Sequence, residues 1–305
     1  GATLQFGLVL TALLLWSAGE RLIGRLMRPT LSQGGRGGRG DVPASLVGGL
    51  MVALFAVAGL ALAGLALWSL STRWRYPAVL PEGFTLANWM RHADSLAWPL
   101  WVTLTTAAAT AAVALTLTLA CLENEDRHGL RPTTRALWLL YVPLLVPQVS
   151  FLFGLQVFLN VLGLDGSWAG LAWSHLLFVL PYVFLSLAEP WRALDERYRR
   201  SALCLGASPG RVFWRIKLPM LLRPVVFALA IGFSVSIAQY LPTLFAGAGR
   251  FPTLTTEAVA LSAGGDRRVL GVYALLLAAL PIAAFAGALL LPRPGRSTAR
   301  VGAIR

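Results

Sequence analysis

Charge is what this chain has least of. Only 13% of its residues are Asp, Glu, Lys or Arg, against the ~25% usual in soluble domains. None of the acidic ones lies inside the long apolar runs from residue 44 onward. Lysine occurs once, at Lys217. A phosphate-cradling Gly-rich loop ends in Lys, and no such loop surrounds this one, so the chain does not read as an ATP-hydrolysing subunit. The histidines, His92, His128 and His175, are scattered and lack the H-E-x-x-H spacing of a helical zinc site. The two cysteines, Cys121 and Cys204, form no C-x-x-C or other metal-ligand pair, so neither a disulfide framework nor a metal is expected. Nothing here predicts an enzyme.

What remains is apolar. Hydrophobic residues make up 57% of the chain and the mean hydropathy is +0.68. They fall in runs of about 20 to 27 residues, long enough to cross a hydrocarbon core. Seven spans are expected, at 4–22, 44–70, 98–122, 136–162, 168–188, 224–245 and 269–291, the fourth interrupted by Pro143 and Pro147. The chain is thus predicted to be an all-α membrane protein.

The basic residues orient it. Five lie in 21–39, three in 123–135, eight in 192–223 and four in 293–305, so 20 of the 26 Lys and Arg flank one side of the seven-span arrangement. Loops rich in Lys and Arg stay in the cytoplasm. The N-terminus is therefore expected outside and the C-terminus inside, in a bacterial inner membrane. The net charge of +13 reads as orientation, not as a nucleic-acid surface. GGRGGRG at 34–40 is likewise read as a flexible basic loop and not as an RNA-binding tract. On the outer side, 71–97 is polar and aromatic, with Trp74, Trp89, Trp98 and Trp101 placed for an interfacial belt.

The most charged stretch, 191–224, reads as two short helices and a turn. Leu194, Tyr198, Ala202 and Leu205 recur at helical spacing and predict one apolar stripe. Gly206 stands where a left-handed helix stop belongs. Ser208 is placed as a cap and Pro209 as the first residue of the next helix. That helix puts Val212, Phe213 and Ile216 on one side. It is expected to end near Leu218, because a residue before proline disfavours helical geometry.

The spacing of Gly206, nine residues, Ile216, one residue, Leu218 and Pro219 resembles the second half of the cytoplasmic "EAA" loop in permease subunits of type I, binding-protein-dependent ABC importers. The name-giving Glu-Ala-Ala positions hold Arg200, Ser201 and Ala202. The resemblance implies a six-helix permease core over 44–292. Its loop 191–219 would dock on a pair of ATPase subunits. It implies ATP bound by those partners and no cofactor here, an extracytoplasmic solute-binding protein, a second permease half and a lipid surround. The first span, 1–22, has no place in a six-helix core. Either it ends a missing first half, with 23–43 as linker, as in fused permeases of the thiamine and ferric-iron type, or it is an extra helix on a half-size subunit. The chain lacks an initiating Met and looks like part of a longer product; 293–305 is a basic cytoplasmic tail.

Polar residues within spans mark either a solute path or interhelical hydrogen bonds. Gln148, Gln156 and Asn160 share a face of the fourth span. Ser236, Gln239 and Tyr240 do so in the sixth, flanked by Gly232 and Thr243. His175 reads as a hydrogen-bonded bundle residue, and Glu257 as a loop carboxylate. The alternative is an ion-coupled secondary transporter or a membrane scaffold. Secondary carriers commonly use intramembrane carboxylates, which the spans from 44 onward lack.

Overall fold

The computed structural model describes residues 41–72, 74, 78, 81–264 and 266–291, with side chains from residue 48. The expected first span, most of the basic linker and the tail lie outside the described residues.

Apart from one antiparallel bridge between Ser71 and Phe84, the regular structure among the described residues is helical. Helix α1 is Asp41–Leu70, α2 Ala87–Arg91, α3 Ala93–His128, α4 Thr134–Leu145, α5 Gln148–Val161 and α6 Trp168–Arg192. The loop helices α7 (Glu196–Cys204) and α8 (Pro209–Val212) lead through a π turn, Phe213–Lys217, into α9 (Leu218–Met220). Then follow α10 (Leu222–Ile237), α11 (Leu241–Gly247), α12 (Leu254–Gly264) and α13 (Arg267–Leu290). Four helices are long and apolar enough to span a membrane, or up to six spans if two bent pairs each count once. The seven-span expectation thus reduces, among the described residues, to its six-span core.

Four sequence-based expectations are modified. The fourth span is not one rod: α4 and α5 are bent by 102°, with Val146 extended and Pro147 opening α5, because Pro147 can neither donate a helical hydrogen bond nor let Val146 stay helical. The sixth span stops at Ile237 and restarts at Leu241, where Pro242 suits the first turn. The 123–135 loop begins only after His128, since α3 runs through 36 residues, about 54 Å at 1.5 Å per residue; Gly129, at φ +61°, ends it. The helix that carries Ile216 does not stop before Pro219. Leu218 keeps helical angles (φ −60°, ψ −46°) and its N–H donates to the Phe213 carbonyl. That i→i−5 bond widens the turn, which relieves the clash a proline ring makes with the preceding turn.

Three helices build the core. Ala114 and Leu122 of α3, Val179, Val183, Leu187 and Trp191 of α6, and Val225 and Ala228 of α10 form one buried cluster. A second joins α3 to α12 and α13 through Leu96, Leu254, Ala258, Val272 and Tyr273. Helix α1 rides outside on α13, where a Cβ at Gly271 would fall 2.8 Å from the Leu65 carbonyl oxygen. Its other face, including Leu54, Phe55 and Leu60, is exposed, as suits a lipid-facing span. Buried Asn88 ties the chain after α1 by donating to the Ser69 and Ser71 carbonyls, both at 2.9 Å.

Candidate functional site

The charged loop is a folded knuckle. Asp195 caps α7 by accepting from the Arg197 N–H at 2.9 Å. Glu196 pairs with Arg199 and Arg200, and the hydrogen bonds from Arg199 and then Arg200 hold its carboxyl below the usual carboxylate range. Gly206 takes φ +82°, and the Ala207 N–H reaches back to the Ala202 carbonyl at 3.0 Å. Ser208 Oγ accepts from the Arg211 N–H, with Pro209 following as the first helical residue. The turn chemistry is as the sequence reads. Gly206 to Gly210 also spells G-x-S-x-G, but a nucleophile elbow requires a strand-to-helix turn, whereas here Ser208 caps a helix that follows a helix.

The predicted stripe divides. Ala202 and Val212 are buried, and Leu194, Phe213 and Leu218 pack against the α3/α6/α10 core. Ile216 is half-buried; Gly206, Ser208 and Pro219 are exposed. Tyr198 is 52% exposed and Leu205 88%. The knuckle therefore seats part of its apolar surface on the bundle and leaves Tyr198, Leu205 and Trp214 exposed among the described residues.

Sequence reasoning missed the anchor. Lys217 is only 3% exposed. Its Nζ donates to Glu123 Oε2 at 2.7 Å and to Asp126 Oδ2 at 2.8 Å, and it lies 5.3 Å from the Trp191 ring centroid. Trp191 Nε1 donates to the same Asp126 oxygen at 3.1 Å, and Arg192 pairs with Glu125. That Lys217 is the chain's one lysine was the available signal; its carboxylate partners, some 91 to 94 residues upstream, were not visible as partners.

Within the spans, the six polar candidates separate. Gln148, Gln239 and Tyr240 meet in one cleft of about 480 Å³, closed by Phe178, Tyr182 and Val235. The cleft lies where α4 breaks into α5 and where α10 breaks before α11, so free helix ends as well as side chains border it. Gln156 and Asn160 line no part of it. Ser236 faces inward instead: His175 Nδ1 is 2.8 Å from Ser236 Oγ and its Nε2 2.9 Å from Thr243 Oγ1. Gln239 Nε2 donates to the His175 carbonyl at 3.2 Å, which fixes the amide's orientation and leaves Oε1 buried without a partner. His175 is thus a hydrogen-bonded bundle residue that pins the broken span to α6. Glu257 belongs to α12 and is half-buried.

Known proteins resemble this chain in sequence. A family model described as "Binding-protein-dependent transport system inner membrane component" matches residues 127–291, the part that holds the knuckle and the cleft. The inner membrane ABC transporter permease protein YnjC of Escherichia coli K12 is 47% identical over 155 residues, 51% of this chain and 30% of YnjC. The molybdenum transport system permease protein ModB of Mycobacterium tuberculosis is 30% identical over 213 residues, 60% of this chain and 80% of ModB. The putative 2-aminoethylphosphonate transport system permease protein PhnV of Salmonella paratyphi A is 24% identical over 201 residues, 65% of this chain and 75% of PhnV.

Proposed function

The chain belongs to the family of binding-protein-dependent transport system inner membrane components, multi-pass permeases of ABC importers, and from that premise we propose that it forms a solute path powered by a separate ATPase. The observation that carries this reading is the set of exposed apolar residues on the knuckle, Tyr198, Leu205 and Trp214, on a loop turned by a left-handed Gly206. ATP is bound by a pair of partner subunits that grip this loop. Their closure drives the bundle between outward- and inward-open states. The knuckle side is cytoplasmic, as the distribution of arginines supports, so the N-terminus lies outside and the C-terminus inside. A solute-binding protein delivers cargo to the opposite side. A second permease half, fused or separate, completes the path, and 44–292 is this half's core; the matched segment covers only 30% of YnjC.

The test is co-purification. The tagged full-length product, extracted from its own cells in mild detergent, is expected to bring a stoichiometric ATP-binding-cassette subunit. Recovery of the protein alone, with uptake that persists without ATP, would overturn the reading and favour a secondary carrier.

The cleft divides the polar candidates in a checkable way. Gln148→Leu or Tyr240→Phe is expected to lower uptake roughly tenfold, the worth of one hydrogen bond near the upper end of its usual range. Gln156→Leu and Asn160→Leu should change it by less than about twofold, within the range of surface substitutions. Uptake of the solute held by the co-purified binding protein reports both. Equal losses at all four positions would remove the cleft from the path.

A further inference from the structure

The knuckle is held by two different kinds of contact. Phe213 and Leu218 rest on apolar side chains, contacts that are non-directional and allow sliding. The Lys217 clasp is directional: one buried ammonium, two carboxylates on α3 and the face of Trp191 on α6. It draws together the ends of three elements within a turn of Leu221, where the loop helix meets α10 at a bend of 75°.

Stability alone does not account for such a group. Taking an ion out of water costs several kcal/mol, and replacing a buried ion pair by apolar residues is often neutral or stabilising. What ions add is a fixed geometry. The side chains of Leu122, Leu187, Trp191 and Leu221 next to the clasp belong to the α3/α6/α10 core, so a force that reaches Lys217 reaches the centre of the bundle.

We propose that Lys217, with Glu123 and Asp126, is the positioning clasp that makes the knuckle and the ends of α3 and α6 one rigid body, so that a displacement of the knuckle moves the bundle without slipping on it. The inference rests on the reading of the knuckle as the ATPase docking loop, but its mechanical content belongs to this chain alone. Lys217 is almost wholly buried and acts through α3 and α6. Arginine is a poor substitute, because a planar fork does not place a point charge between two carboxylates and a ring.

The native cysteines give the measurement. Cys204 ends α7 on the knuckle and Cys121 lies on α3, and both are exposed. Nitroxides on the two, in full-length protein diluted with cysteine-free copies in lipid nanodiscs, report the knuckle-to-α3 distance by pulsed electron resonance. Wild type is expected to give one narrow distribution, unchanged when the co-purified ATPase subunits are trapped with ATP and vanadate. The variant Lys217→Met with Glu123→Gln and Asp126→Asn leaves no buried charge unpaired and should fold; its distribution is expected to be roughly twofold broader. It should also shift on ATP trapping, while the ATPase subunit still co-purifies. Lys217→Arg should fall between. A triple variant as narrow as wild type would overturn the clasp. Failure to recover an ATPase subunit with wild type would instead sink the functional reading, and the distance distributions of the isolated chain would still decide the clasp.

Discussion

Gly206→Asp is expected to abolish ATP-driven uptake while leaving the protein in the membrane at normal levels. Gly206 holds φ +82°, and a Cβ there would meet nothing within 4 Å. The cost to the fold is therefore backbone strain only, about 1 to 2 kcal/mol for an ordinary residue, and Asp and Asn visit this region more readily than most. What changes is the surface. A carboxylate would stand between exposed Leu205 and the Ser208 cap, on the face offered to the ATPase. Burying a charge that the partner does not pair costs about 2 to 5 kcal/mol at an interface, equal to roughly thirty- to several-thousandfold in affinity. Gly206→Asn keeps the backbone strain and adds no charge, so it should retain most of the ATPase subunit. Membrane abundance, ATPase recovery and uptake are measured side by side. Normal transport by Gly206→Asp would mean that the knuckle is not where the work enters; equal loss by Gly206→Asn would mean that shape, not charge, carries the effect.

The same position shows what the sequence makes legible. Gly206, Ser208 and Pro209 were readable because each acts on its own backbone within a few residues. The apolar runs were equally readable, since crossing a bilayer depends on length and composition. Pairing at a distance was not. Nothing local says that Lys217 reaches back to Glu123 and Asp126, or that Leu205 faces outward while Ala202, three residues before it, faces in. Helical spacing put Gln148, Gln156 and Asn160 on one side of a straight rod. The structure keeps only Gln148 at the cleft, because it opens α5 at the break while Gln156 and Asn160 lie about 12 and 18 Å further along the same helix. Pro219 shows the converse: a sound local rule about the residue before proline gave way to a π turn that made room for the ring.

Gly232→Val is expected to be the most disruptive single substitution within the spans. A Cβ at Gly232 would fall 2.7 Å from Val183 Cγ2, 3.2 Å from Val179 Cγ1 and 3.3 Å from Ala111 Cβ. All three neighbours are fully buried, so none can swing into open space. Helix α10 meets α6 and α3 at this point, and between membrane helices such close packing is itself the driving force. Overpacking a filled core costs about 1 to 3 kcal/mol, and a branched side chain forced into three walls should sit at the upper end. In a chain of this size the upper end lowers the melting temperature by about 5 °C, readable from thermal unfolding in detergent. Uptake should fall as well, because Ser236 and Gln239 lie one and two turns further along the displaced chain. Gly232→Ala is the milder probe. Since its nearest obstacle is one methyl of Val183, pairing it with Val183→Ala should recover part of the loss, with a coupling of about 0.5 to 3 kcal/mol. If Gly232→Val melts with wild type, or if the double variant shows no coupling, the three helices do not meet as tightly as these distances require.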